Sequence, residues 1–391
     1  MTSPPSEGAD VRIGITGAAG FLGWHLRCRL LISGHEALLA DRATFVDTNA
    51  LDAFVSGSGA IVHVAGVNRA NSDAEVAAGN RWLADQLIAA LGRTESVVPV
   101  LYTNSTKADQ GGVYGDAKQA AADKLATHQA SVGAPMIDMV LPHVFGEYGV
   151  PYYNSAVTTF SYALANGEEP QVSRNGQLEL LHAQDICAAI VEALESPVSG
   201  RPRLAGRLVT VGAVWDLLQR HNERYVDQLT IPSFADRFEQ QVFNSLRSQL
   251  YLAGHYPHPI TLHSDPRGAF AELGRADGLG QTSISTSVPG ITRGDHFHVD
   301  KIERFIVISG QATIRLRRLF TDEINSYEVS GEAPVYIDMP PLCTHNITNT
   351  GGDVMTTMFW AGDHFDPATP DTYIDPVETT PMQTLPTKTV L

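Results

Sequence analysis

VRIGITGAAGFLGWHLRCRLL, residues 11–31, decides how the first half of this chain is read. Val11–Thr16 is a short apolar run, the glycines follow at once, and Phe21–Leu31 then has helical spacing. That is a strand, a glycine turn and a helix. Gly17, Gly20 and Gly23 have distinct jobs in such a turn: a tight bend, close approach of backbone N–H groups to a pyrophosphate, and close helix–strand packing. With Phe21 and Leu22 they are the candidate cofactor contacts, because a helix N-terminus favours the phosphate charge.

Working outward, Glu36–Ala40, Ala60–Ala65, Val97–Tyr102 and Met136–Leu141 read as further strands. Helical stretches lie between them at about Asp73–Leu91 and Ala117–Ser131. Alternating strands and helices predict a doubly wound, Rossmann-type parallel sheet. Strand two ends at Asp41-Arg42. An acid there suits the 2′-hydroxyl of NAD, whereas an arginine pairs with the 2′-phosphate of NADP. With Asp41 turned away, Arg42 selects NADPH; NAD is the alternative cofactor.

Ser105 closes the fourth strand, and Tyr114 and Lys118 stand one helical turn apart. A phenol with a pKa near 10 is a poor acid–base group at neutral pH, and a neighbouring ammonium lowers it. Tyr114 then protonates a carbonyl oxygen as hydride arrives, with Ser105 bonded to the same oxygen. A solvated lysine and a strand-end cap are the plain structural alternatives. The glycine motif upstream weighs against them.

From about Leu246 the texture changes to short apolar runs between Gly, Pro and Asp turns, which predicts an all-β sandwich or barrel. Within it, PGITRGDHFHVDKIERFIVISG, residues 289–310, carries His296, His298 and Glu303 between Gly290 and Gly310. Imidazoles and a carboxylate at that spacing suit Zn2+ or another divalent metal. Buried histidines with ordinary hydrogen bonds are the alternative. SFADRFEQQVFNSLRSQLY, about Ser233–Tyr251, reads as an amphipathic helix that closes the first domain or bridges the two.

These motifs carry resemblances. Residues 10–245 resemble the extended short-chain dehydrogenase/reductases of nucleotide sugars. HVAGVNRA from His63 is similar to that family's strand near the nicotinamide ribose, which implies Ala65 and Gly66 as cofactor contacts. LPHVFGEYG from Leu141 resembles its substrate loop, and LHAQDIC from Leu181 its later His-x-x-Asp strand. Thr103-Asn104-Ser105 stands where the family's dehydratases carry Thr-Asp-Glu, so a reductase or epimerase is expected. The second half resembles the cupin (jelly-roll) barrels, which implies His345 as the fourth metal ligand, although Leu342 and Pro334 replace customary glycines.

DPRGAFAEL and TRGDHFH also resemble the cupin-fold epimerases of 4-keto deoxysugar nucleotides. That likeness implies His296 as base, with Arg293 and Arg267 on the diphosphate. A metal-bound imidazole has no free lone pair, so the two roles of His296 exclude each other, and the full cupin spacing favours ligation. Nearly the whole chain, YYNSAVTTF and DPATPDTY included, resembles the CapF/WbjC-type capsular polysaccharide enzymes. This implies a homodimer containing zinc and a UDP-linked 4-keto-6-deoxy amino sugar as substrate, epimerised at C3 and then reduced at C4, with Asn154 among the substrate contacts. The alternatives are a reductase whose cupin only binds or dimerises, and a cupin oxygenase fused to a dehydrogenase.

Composition agrees. The 391 residues with a net charge of −16 disfavour nucleic acid and anionic membranes as partners. The three cysteines are scattered, no long apolar run suggests a span, and the polar start lacks a leader, so a cytoplasmic protein is expected. The expected division is a tail at 1–9, a reductase domain at 10–245, a cupin at 246–371 and a tail or strap at 372–391.

Overall fold

The run Ile13–Thr16 (β1) is buried along its whole length, as a strand must be when helices cover both faces of its sheet. A computed structural model describes residues 12–265, 268–278, 280–362, 366, 368 and 370–378. After β1 come α1 (Phe21–Ser33), β2 (Ala37–Ala40), α2 (Arg42–Val46), α3 (Thr48–Gly57), β3 (Ala60–His63), α4 (Asp73–Arg93), β4 (Val100–Ser105), α5 (Val113–Val132), β5 (Met136–Leu141), β6 (His143–Phe145), α6 (Ala156–Ala165), β7 (Gln177–His182), α7 (Ala183–Glu195) and β8 (Arg207–Thr210). Next are α8 (Val211–Asn222), β9 (Thr230–Ile231), α9 (Arg237–Leu252), and the short strands β10 (His258–Pro259), β11 (His263–Asp265), β12 (Gly268–Phe270) and β13 (Arg275–Ala276). The chain continues with β14 (Gln281–Ser287), β15 (Thr292–Phe297), β16 (Glu303–Ser309), β17 (Gln311–Arg318), β18 (Ile324–Ser330), β19 (Val335–Asp338), β20 (Cys343–Asn349), β21 (Met355–Ala361) and β22 (Tyr373–Ile374).

Two compact units emerge: 1–155 with 173–213, and 156–172 with 214–391. The first holds a parallel sheet in the order β2-β1-β3-β4-β5. Its two faces carry separate cores. Ile13, Ile15, Val62 and Ile137 pack with Leu26 and Leu30 of α1 and Ile186 and Ile190 of α7. Ile61, Val100 and Met136 pack with Leu87 of α4 and Leu125 of α5. The doubly wound fold expected from the alternation is therefore present.

The second unit contains two antiparallel five-stranded sheets, β10-β19-β16-β21-β14 and β18-β17-β20-β15-β22, which make the jelly roll. Phe297, Ile306, Leu316, Ile337 and Met355 are fully buried in it. Arg304 forms a bidentate pair with Asp338 at 2.7 and 2.9 Å, and Tyr225 donates a further hydrogen bond to that carboxylate. A buried charge pair persists only when its remaining groups are satisfied in this way. Helices α6 and α9 pack on each other in this unit.

Three readings need correction. The fourth strand begins at Val100, because Val97 is exposed at 62% and Pro99 has no N–H to donate. His182-x-x-Asp185 is a strand end followed by a helix: β7 stops at His182 and Asp185 lies in the first turn of α7. The all-β texture begins later than Leu246, since α9 continues to Leu252. The expected boundary at 245/246 thus falls inside α9. Among the described residues no helix is long and apolar enough to cross a membrane.

Candidate functional site

In the first unit the glycine turn is built as the sequence requires. Gly17 has φ +68, and a Cβ there would lie 2.8 Å from the Ala65 Cα. The β3 loop that carries Ala65 and Gly66 therefore lies directly against the turn. At Gly23 a Cβ would stand 2.3 Å from the Gly17 carbonyl oxygen, so only glycine lets α1 come this close. Gly20 caps α1 with no side-chain bond, and no acidic residue occupies the first turn, where Phe21, Leu22 and Gly23 stand. Unpaired N–H groups and the helix dipole remain available for an anion. The residues present thus fit a dinucleotide pyrophosphate.

Asp41 is turned to local work. Its Oδ1 accepts from Thr44 N at 2.9 Å, and the two residues form a reciprocal capping box on α2. Arg42, beside it, is exposed.

Ser105 ends β4, and its Oγ accepts from Lys107 N at 3.2 Å. Tyr114 and Lys118 lie on α5. The Tyr114 hydroxyl donates to Asn68 Oδ1 at 3.1 Å. Lys118 is buried, donates from Nζ to the Thr103 carbonyl at 2.7 Å, and lies 4.1 Å from the Tyr102 ring centroid. Burial lowers its pKa to about 7 against the raising effect of Asp138. Burial also raises the Tyr114 pKa, helped by Tyr153. The expected lowering of Tyr114 by an adjacent ammonium is not what this arrangement gives: Lys118 is itself desolvated and committed to Thr103. A raised phenol stays protonated at neutral pH, which is the form that gives a proton to a carbonyl.

Asn68 and Asn80 escaped the sequence reading. Buried Asn80 bonds both the N–H and the carbonyl of Val67, at 3.2 and 2.7 Å, and so fixes the loop that bears Asn68. Asn154 is exposed in the 148–155 loop. In that loop Tyr152 accepts from Arg69, whose guanidinium lies 5.0 Å from the Tyr153 ring centroid.

In the second unit His296, His298, Glu303 and His345 converge. One ligand atom from each lies within 4.8 Å of all the others. His296 and His345 are cross-strand partners on β15 and β20, and Glu303 opens β16 in the facing sheet. The cluster therefore sits between the two sheets. A bulge at Asp295, with φ 58, brings Arg293 and His296 to the same side of β15. His298 Nε2 lies 3.0 Å and His345 Nε2 3.9 Å from Glu303 Oε2. The neighbouring imidazoles and Lys301 hold the Glu303 carboxyl at about 2 although burial opposes this.

The ring tautomers are fixed from outside the cluster. His298 Nδ1 donates to the Asp371 carbonyl at 2.5 Å and His345 Nδ1 to that of Cys343 at 3.2 Å, because a carbonyl only accepts. Nε2 is then the ring nitrogen that faces the cluster, where that of His298 hydrogen-bonds the Glu303 carboxylate and where a bound cation would take it. His345 Nε2 is buried with no hydrogen-bond partner. Ligands about 2.0–2.1 Å from a tetrahedral ion stand about 3.4 Å apart, so closure needs side-chain shifts of about 1 Å. The donor set fits a divalent cation. Leu342 adopts φ 54 at a position where cupins carry glycine, and its N–H bonds the His298 carbonyl at 2.7 Å.

Arg293 is exposed and bonds Ser287 Oγ at 2.9 Å and the Thr286 carbonyl at 3.1 Å. Arg267 lies outside the described residues, as does 379–391 of the expected strap.

The NAD dependent epimerase/dehydratase family matches residues 13–212, and the polysaccharide biosynthesis C-terminal domain matches 263–373. A UDP-2-acetamido-2,6-beta-L-arabino-hexul-4-ose reductase of Pseudomonas aeruginosa is 31% identical over 93% of this chain and 98% of its own length. The spore coat polysaccharide biosynthesis protein SpsL of Bacillus subtilis is 29% identical over 28% of this chain and 79% of its own. The crystal structure of the capsular polysaccharide assembling protein CapF from Staphylococcus aureus shares 35% identity, covers 93% of this chain and 100% of that one, and superposes with a TM-score of 0.60. On sequence, domain order and fold together, the chain belongs to the CapF-type family of nucleotide-sugar reductases and epimerases, a short-chain dehydrogenase/reductase unit followed by a polysaccharide-biosynthesis cupin.

Proposed function

We propose that the chain performs two steps on one ketone of a UDP-linked 2-acetamido-2,6-dideoxy-4-hexulose. The second unit epimerises C3, and the first reduces C4, towards UDP-N-acetyl-L-fucosamine. The observation that carries this reading is the convergence of His296, His298, Glu303 and His345 in a chain whose other unit sets Tyr114 and Lys118 beside a dinucleotide cradle. The name of the Pseudomonas relative, a reductase of a 4-keto sugar, supports the substrate class.

Bound NADPH supplies hydride, and a bound divalent cation, Zn2+ on this donor set, supplies electrophilic stabilisation of a developing oxyanion. The protein's residues do the rest. The C4 ketone makes the neighbouring C3–H acidic enough for removal and return on the other face. With its lone pair in the ligand set, His296 is not the base. Tyr114 gives its proton to O4 as C4 is reduced, Ser105 Oγ bonds the same oxygen, and Lys118 sits behind the pair. Reduction consumes the ketone and so draws the epimerisation forward.

NADPH is preferred on the observation that Asp41 is engaged in its capping box while Arg42 stands exposed beside it. Asn154, Arg293 and Arg267 are assigned to the substrate on family resemblance alone. A homodimer acting in the cytoplasm completes the reading on the same basis.

The test supplies the full chain with the 4-keto nucleotide sugar in D2O without NADPH. Wild type and Tyr114→Phe should place deuterium at the carbon beside the ketone, whereas His345→Ala should not. With NADPH added, Tyr114→Phe should reduce about 10²–10⁴-fold more slowly. No exchange with wild type sinks the epimerase half. Exchange that persists in His345→Ala sinks the role of the cluster and favours a cupin that only binds.

A further inference from the structure

Between His298 and Glu303 the chain makes a sharp turn through Val299, Asp300 and Lys301. Three consecutive N–H groups point to one place there, and the Asp371 carboxylate fills it. Its oxygens accept from Val299 N at 3.0 Å, Asp300 N at 2.9 Å and Lys301 N at 2.7 Å. Asp371 also presents its own carbonyl to His298 Nδ1 at 2.5 Å. One residue therefore fixes both the ring that ligates and the turn that leads to the next ligand. Its backbone has φ 40, a left-handed value that Asp and Asn tolerate better than other side chains with a Cβ. Thr372, the next residue, accepts from Lys301 Nζ at 3.2 Å, and that ammonium lies 3.7 Å from Glu303 Oε1.

The opposite side of the turn is held independently. Arg237 of α9 pairs with Asp300 at 2.6 Å, and Gln240 and Asn244 donate to the Asp300 carbonyl at 3.1 and 3.3 Å. With α9 gripping one side, the geometry of the ligand turn depends on what grips the other.

We propose that Asp371 is a positioning residue of the metal centre: it sets the tautomer of His298 and the spacing of His298 from Glu303. This rests on the metal reading given under the proposed function. The charge matters as well as the shape, since a carboxylate on backbone N–H groups makes charge-assisted bonds that a neutral amide matches only in part.

The experiment measures Zn2+ affinity of the full chain by competition with a chromophoric chelator, and the visible spectrum of the Co2+-loaded protein. Wild type should take up one Zn2+ per chain and His345→Ala should lose it. If wild type binds none, or His345→Ala binds like wild type, the metal reading fails and the proposal for Asp371 falls with it. With that reading standing, Asp371→Asn should weaken Zn2+ at least about 10-fold, as loss of a partner behind the ligands does elsewhere, and alter the Co2+ spectrum. Asp375→Asn breaks a different tie of the same segment, to Arg317 at 2.6 Å. It should lower the thermal midpoint and leave Zn2+ affinity within about twofold. Wild-type affinity in Asp371→Asn overturns the proposal, and so does an equal loss in Asp375→Asn. Hydrogen exchange of the Zn2+-loaded wild type gives a reading that needs no variant: the amides of 299–301 should be protected, and fast exchange there overturns the proposal too.

Discussion

Asp41 and Arg42 are adjacent, yet the fold sets them to different tasks. The aspartate closes a capping box with Thr44, so Asp41→Ala should cost about 1 kcal/mol of stability and leave cofactor preference alone. Arg42→Ala should raise the KM for NADPH about tenfold with little change for NADH, as loss of one charge-assisted phosphate contact predicts. Paired kinetics with both cofactors, beside denaturant curves, check the two claims; a gain in NADH preference from Asp41→Ala would contradict them. The types and spacings of Tyr114, Lys118, His296, His298 and Glu303 were legible, because local pattern carries them, whereas His345 was reached through the cupin resemblance. Their partners were not. Asn68 reaches Tyr114 across 46 positions and Asp371 reaches Val299 across 72, and no periodicity marks such pairs.

Elements with an unbroken apolar run or a helical period were read with near-correct ends: Met136–Leu141 as β5, buried along its whole length, and the starts of α1 and α4 at Phe21 and Asp73. Short helices were missed. In α2 and α3 the signal lies in the caps Asp41 and Asp47, and α6, AVTTFSYALA, mixes β-branched and aromatic residues that read equally as strand. The bulge at Asp295, which decides the side on which His296 falls, leaves no mark in the hydrophobic pattern. The turn–α1 junction gives the sharpest expectation at this scale. A Cβ at Gly23 would stand 2.3 Å from backbone oxygen, with nothing flexible to yield. Gly23→Ala should therefore lower stability by about 1–3 kcal/mol and abolish NADPH binding, read by fluorescence titration against Gly200→Ala, whose Cβ would meet nothing within 4 Å and whose backbone is not left-handed. Retained binding in Gly23→Ala would refute the packing argument.

On the scale of the whole molecule, burial of neutral histidines sets an acid limit. Burial depresses His25 to about 4, where Glu147 opposes the shift, and His63 to about 3, where Lys118 adds to it. Unfolding returns each towards 6.5, so the unfolded chain binds more protons between those values. Stability is then full above pH 6.5 and falls as pH drops towards 4, by up to about 1.4 kcal/mol per pH unit for each proton taken up. Denaturant midpoints at pH 7, 6 and 5 should decline in that order; a flat series would count against it. The order of the two folds was plain from the sequence, but the path of the chain between the units was not. Residues 156–172 leave the first unit and pack in the second, where α6 meets α9, before the chain returns at 173. The halves are therefore not beads on a string. A cut after residue 213 would strand α6 on the wrong fragment with Val157, Phe160 and Ala163 stripped of cover, an invitation to aggregate. Neither unit can be lifted out as a cassette by one pair of scissors; dissection has to proceed by substitution in the intact chain.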